Sequence, residues 1–173
     1  MSKVSRFVLA ATLALAAGGC STAVQGTPTP SNPAPQAGSS EANPLASVVS
    51  CDLLGKILQG LDYPPAAPDI INKKQACSTH KPGGANVLLQ VSPGFAYDER
   101  RTNPSKTKVG DIHGRKAIQV RDLGGAPRGC DVKLEVKPHS NVSITVISET
   151  TTEQDCSLVD ELATRLEPML PKI

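Results

Sequence analysis

Cys130-Asp-Val-Lys-Leu-Glu-Val-Lys137 and, beyond the four residues Pro138–Asn141, Val142-Ser-Ile-Thr-Val-Ile147 decide the fold. In the first stretch Val132, Leu134 and Val136 alternate with Lys133, Glu135 and Lys137; in the second Val142, Ile144 and Val146 alternate with Ser143, Thr145 and Ile147. A period of two places one set on a buried face and the other on an exposed one, so both arms read as strands joined by a turn. Upstream, His113-Gly114 is a tight reversal between residues 107–112 and 115–122, with Ala117, Ile118 and Val120 as the apolar members of the second run. Further upstream, Lys81-Pro82-Gly83-Gly84 separates 74–80 from 85–92, and Pro93-Gly94 ends that pair.

Helical spacing brackets these strands. Ser50-Cys51-Asp52 is placed to start a helix carrying Leu53, Leu54, Ile57, Leu58 and Leu61, with Gly60 near its end. Tyr63-Pro-Pro-Ala-Ala-Pro68 is then a connector. A second helix is expected over Cys156–Glu167, with Leu158, Val159, Leu162 and Leu166 inward, Thr152 and Asp155 as a capping box, and Pro168 at its end. The expected fold is α+β: an antiparallel sheet of about five to six strands with an N-terminal and a C-terminal helix packed on it. Residues 45–173 suffice for one such domain.

The first 44 residues read differently. Met1–Arg6 is short and positive, residues 7–17 are an apolar run, and Gly18-Gly19-Cys20 follows. A bilayer span needs about 20 apolar residues, so this run fits a secretory signal peptide over 1–19 rather than a permanent anchor. Ala17-Gly18-Gly19-Cys20 resembles the lipobox of bacterial lipoproteins, which implies a diacylglyceryl group on the Cys20 thiol and cleavage ahead of it; an ordinary cut before a free cysteine is the alternative. Residues 21–44 carry five prolines and seven Ser/Thr. Such a segment buries too little to offset the entropy of ordering it and is expected to be a disordered tether. It would reach from roughly 25 Å as a coil to about 75 Å as a polyproline arm.

Charge bounds the partners. The chain has 18 Lys+Arg and 16 Asp+Glu, a net +2, and Lys3 and Arg6 supply that surplus. From Cys20 onward the balance is 16 against 16, which argues against nucleic acid as a partner. Four aromatic residues (Phe7, Tyr63, Phe95, Tyr97) leave little for stacking bases or sugars. The distribution is uneven: residues 100–137 hold ten basic and four acidic residues, and 149–167 hold six acidic and one basic. Either the acidic helix offsets the basic strands, or Arg100, Arg101, Lys106, Lys108, Arg115 and Lys116 form a basic surface for anionic wall polymer or lipid headgroups.

Beyond Cys20, four cysteines remain: Cys51, Cys77, Cys130 and Cys156. An even number in an exported chain reads as two disulfides, with three connectivities open. Pairing in sequence order is preferred because it ties each helix start to a neighbouring strand. The spacings are too wide for a metal motif, so no metal or cofactor is expected. His80, His113 and His139 all sit beside turns, although His80 and His113 would meet if their hairpins turned at the same end. Gly124–Gly129 lacks the Lys-Ser/Thr ending and the following helix of a phosphate loop. No catalytic constellation stands out, and an enzyme is not expected.

The order of lipobox, Pro/Ser tether, Ser50-Cys-Asp-Leu-Leu54, Ala76-Cys77, Gly114-Arg115, Cys130-Asp-Val-Lys-Leu-Glu-Val136 and closing Cys156…Leu170-Pro171 resembles the actinobacterial envelope lipoproteins grouped as domain of unknown function 3558. The resemblance implies export to the extracytoplasmic face, lipid anchoring in the cell membrane and cystine pairs, and no settled activity. The expected role is a non-catalytic binding or scaffold module of the envelope, with a wall polymer or another envelope protein as partner. The alternative is a carrier of a lipid or glycolipid in a cavity between sheet and helices.

Overall fold

The alternation over Cys130–Ile147 becomes the β6–β7 hairpin at the centre of a seven-stranded sheet. The computed structural model describes residues 43–98, 104–123 and 128–172, which all fall in one compact unit, Ser39–Ile173. In chain order the elements are α1 (Ser50–Ile57), β1 (Ala67–Pro68), β2 (Ala76–His80), β3 (Asn86–Pro93), β4 (Thr107–Ile112), β5 (Arg115–Arg121), β6 (Cys130–Lys137), β7 (Ser140–Ile147) and α2 (Thr152–Leu166). The sheet order is β1-β2-β3-β7-β6-β5-β4, with every neighbouring pair antiparallel. After β3 the chain passes to the far edge and returns through β4, β5 and β6, so β7 closes the gap beside β3.

The α+β architecture with two helices agrees with the sequence reading, while the strand count exceeds it by one. The extra strand is β1, two residues inside the Tyr63–Pro68 connector, whose Ala67 and Pro68 pair with Ser78 and Cys77. Two residues show no period, and a proline is tolerated there because β1 is an edge strand. The β6–β7 turn is shorter than Pro138–Asn141: Ser140 already pairs with Lys137, leaving Pro138 and His139. His139 takes φ 61°, which suits the second central position of a type II turn after proline. His113 and Gly114 take φ 51° and 82°, the backbone of a type I′ hairpin.

Helix starts also move. α2 begins at Thr152, and its capping box is Thr151 with Gln154, one residue earlier than Thr152 with Asp155: the Thr151 hydroxyl accepts from the Gln154 N–H, whose side-chain oxygen accepts from the Thr151 N–H. α1 has no side-chain cap; Val49 precedes it and Ser50 is buried.

Residues paired across strands share a face. Val132 and Leu89 both face Ile144, Leu134 faces Val142, and Val87 faces Val146; all these side chains are buried. α1 lies over β2 and β3, and α2 over β5, β6 and β7. Leu54, Ile57, Leu162 and Leu166 have no exposed surface, and full burial of each such side chain contributes about 1.5–3 kcal/mol.

The antiparallel order gives the domain two distinct ends. The upper end holds the Lys81–Ala85 turn, residues 148–151 and the start of α2. The lower end holds the 69–75 loop, the His113-Gly114 and Pro138-His139 turns and the end of α2. His80 closes β2 at the upper end, and His113 turns at the lower end. The sheet therefore separates the two histidines that one shared end would have joined.

Candidate functional site

Each helix is covalently pinned to the sheet. Cys51, in the first turn of α1, bonds Cys77 in β2; Cys130, opening β6, bonds Cys156 in α2; each pair is 26 residues apart. This is the pairing in sequence order. Beside the second cystine, the buried Asp155 carboxylate accepts from the Gly129 N–H at 2.9 Å and from the Ser148 N–H at 3.3 Å. The start of α2 is thus fastened to the approach to β6 and the exit from β7. Cys20, the expected signal peptide over 1–19 and all but the end of the expected tether over 20–44 lie outside the described residues, as do Arg100 and Arg101.

The remaining basic candidates do not form one surface. Arg115 is the clearest correction, because only 5% of it is exposed. Its guanidinium donates to Glu167 Oε1 at 3.0 Å, to the Glu135 carbonyl at 2.9 Å and to the Pro171 carbonyl at 2.9 Å. It clamps the C-terminal segment to β6 instead of facing a partner. Lys116 pairs with Glu135 at 3.2 Å, and Lys106 with Asp122 at 3.3 Å; Lys108 is exposed on the β4 edge. The acidic helix lies along these strands: Gln119 donates to Asp160, Arg121 pairs with Glu153, and His113 sits 3.4 Å from Glu167. Part of the charge division is therefore compensated internally, by Arg121 with Glu153 between β5 and α2 and by Arg115 with Glu167 just beyond the end of α2. The Thr152 hydroxyl, foremost, with Lys106 and Arg121, holds the Asp122 carboxyl below its ordinary range.

A recess of about 430 Å3 opens at the upper end, lined by Leu61, Tyr63, Lys81, Ala85, Asp155 and Leu158 among others. Lys81 Nζ donates to the Leu61 carbonyl at 3.1 Å and lies 5.8 Å from the centre of the Tyr63 ring. Partial burial, and secondarily the negative charge of Asp155, raise the Tyr63 phenol above its ordinary range. The recess thus combines apolar walls with a protonated phenol and an ammonium, chemistry for binding. The recess leaves no mark in the sequence, because residues 61–63, 81–85 and 148–158 meet only after the sheet has formed.

Among the described residues, no three His, Cys, Asp or Glu side chains are grouped to hold a metal ion, and no helix is long and apolar enough to cross a membrane. A protein-family model matches residues 15–169 and is described as Protein of unknown function (DUF3558). The chain belongs to this family. The DUF3558 match takes in both cystines and the Tyr63 recess, and its description assigns no reaction. No curated protein and no solved structure matches the chain.

Proposed function

We propose that this DUF3558 chain is an extracytoplasmic lipoprotein of the actinobacterial cell envelope, held on the membrane by lipid on Cys20. Its domain serves as a non-catalytic binding or scaffold module. The observation that carries this reading is the pair of cystines fastening α1 and α2 to the sheet, an arrangement that persists in oxidising compartments. The 1–19 leader and the Ala17–Cys20 sequence supply the route of export. A carrier of an apolar ligand between sheet and helices is less well supported, since Leu54, Ile57, Leu89, Leu134, Ile144 and Leu162 fill that layer without exposed surface. The Tyr63 recess, open at the upper end, is the better candidate for a small ligand or a partner side chain.

Mass spectrometry of native protein from the membrane fraction tests the proposal. The expected product begins at Cys20, carries the mass of a diacylglyceryl group and lacks the four protons of two cystines. Cys20→Ser should abolish the lipid mass and leave uncleaved precursor. A native chain with a free Cys20 thiol, or with reduced domain cysteines, would overturn it.

A further inference from the structure

Ile70 and Ile71 are each 89% exposed, an unusual state for two adjacent aliphatic side chains in a hydrogen-bonded loop. The loop is built rather than left over. Asp69 Oδ1 accepts from the Ile71 N–H at 2.8 Å and the Asn72 N–H at 3.2 Å. The Asn72 carbonyl accepts from the N–H groups of Gln75 and Ala76, and the Ala76 carbonyl from the Asp69 N–H. With its base closed on β2, the loop projects both isoleucines outward. Lys73 and Lys74 follow at once, are exposed, and have no ion-pair partner among the described residues.

The rest of the lower end has the same character. Of the exposed large hydrophobic residues, Val49 and Met169 line one groove there, of about 380 Å3. Phe95 lies at this end as well, its carbonyl accepting from Asn141 near the start of β7. Four acidic groups at this end are engaged: Asp69 in its own loop, Asp111 by the Gly114 N–H, Glu135 by Lys116, and Glu167 by Arg115; Asp52, on the groove beside Val49, is exposed. The chain also arrives from residues 1–42 at this end, because the Cys51–Cys77 bond sets the start of α1 against the start of β2.

We infer that the lower end is a lipid-contacting face, with Ile70 and Ile71 entering the interfacial layer of an anionic bilayer and Lys73 and Lys74 meeting its headgroups. Exposed apolar side chains flanked by lysines are the chemistry of reversible interfacial binding. An anchor on Cys20 would deliver the domain to that surface, and the contact would hold it in one orientation with the Tyr63 recess pointing away. The inference rests on the proposed anchoring for its access to lipid, not for its geometry.

The chain contains no tryptophan, so Ile71→Trp in the full-length chain is a unique reporter, with Val109→Trp, midway along β4, as its control. On vesicles of equimolar phosphatidylglycerol and phosphatidylcholine, emission from the Ile71→Trp variant should shift to the blue and be quenched by brominated lipid, while the control remains open to aqueous acrylamide. Lys73→Gln with Lys74→Gln should weaken partitioning about fivefold per lysine on these vesicles and leave it unchanged on pure phosphatidylcholine. An indole that stays accessible to water in the vesicle-bound Ile71→Trp variant overturns the inference. So does equal partitioning of the lysine variant, or a blue shift that grows with protein concentration without lipid, since a second copy would then cover the loop. Absence of lipid from Cys20 would instead overturn the anchoring alone.

Discussion

Replacing Arg115 by methionine separates a structural cation from a binding one. The Arg115 side chain is 4% exposed and that of its partner Glu167 15%. Methionine preserves most of the buried stem but removes the donor from Glu167 and from the carbonyls of Glu135 and Pro171. Removing one partner of a buried ion pair costs about 3–5 kcal/mol, because the other charge stays behind. Glu167 retains some contact with water and has His113 at 3.4 Å, which places the expected loss at the low end, about 3 kcal/mol. That is a large share of a domain stability of about 5–15 kcal/mol. Neighbouring Lys116 has a side chain 66% exposed, so Lys116→Met should cost no more than about 0.5 kcal/mol.

Urea unfolding of the oxidised protein at neutral pH measures both. Arg115→Met should lower the midpoint without altering the slope and depress Tm by about 10 °C. Arg115→Lys should recover only part of the loss, since an ammonium cannot span three acceptors as a guanidinium fork does. Adding Glu167→Gln to Arg115→Met should restore about 1–2 kcal/mol by removing the orphaned charge. The reasoning is refuted if Arg115→Met and Lys116→Met prove equally mild. Arg115 would then be hydrated and open to a partner, and the basic-surface reading would return.

The cystines and the buried acid give further tests alongside those for Cys20 and Ile71. Replacing Cys130 and Cys156 together by serine should cost about 3.5 kcal/mol on the chain-entropy estimate for a 26-residue separation, and Cys51 with Cys77 the same; unchanged urea midpoints would contradict the role of the cystines in stability. Burial raises the Asp131 carboxyl above its ordinary 3.8, against the opposing effects of the Thr145 hydroxyl and Lys133. The unfolded chain therefore ionises first, and stability from this group falls as pH rises from about 4 through the folded-state value. Asp131→Asn keeps an acceptor for Thr145, removes that slope and should stabilise the protein at pH 7; a wild-type-like pH profile for the variant would show that Asp131 is hydrated.

Alternation is local, and the elements that alternate were legible. Val132–Val136 and Val142–Val146 announced β6 and β7, and the glycine turns announced the other two hairpins. What failed depends on contacts distant in sequence. β1 exists because Ala67 and Pro68 fall beside Ser78 and Cys77, not because of any preference in the connector. The capping box is Thr151 with Gln154 and not Thr152 with Asp155, because Asp155 serves a different set of donors. In the structure it faces inward, bound to Gly129 and Ser148. Arg115 read as surface because a basic residue after a turn usually is; its burial depends on Glu167 and Pro171, more than fifty residues later.

The same connectivity accounts for the polarity of the domain. Because β7 returns beside β3, the helix that follows it must begin at the upper end and finish at the lower one. This brings Glu167 to Arg115 and His113 and occupies the acid that would otherwise oppose Lys73 and Lys74 in an anionic field. The upper end receives the free side of the α2 start, with Glu149 and Glu153 exposed. The balanced charge from Cys20 onward thus resolves into an end with exposed isoleucines and the unpaired Lys73 and Lys74 and an end with Glu149 and Glu153 exposed. Two ends of different character are suited to two different contacts: the proposed lipid contact below, and a ligand or protein at the Tyr63 recess above.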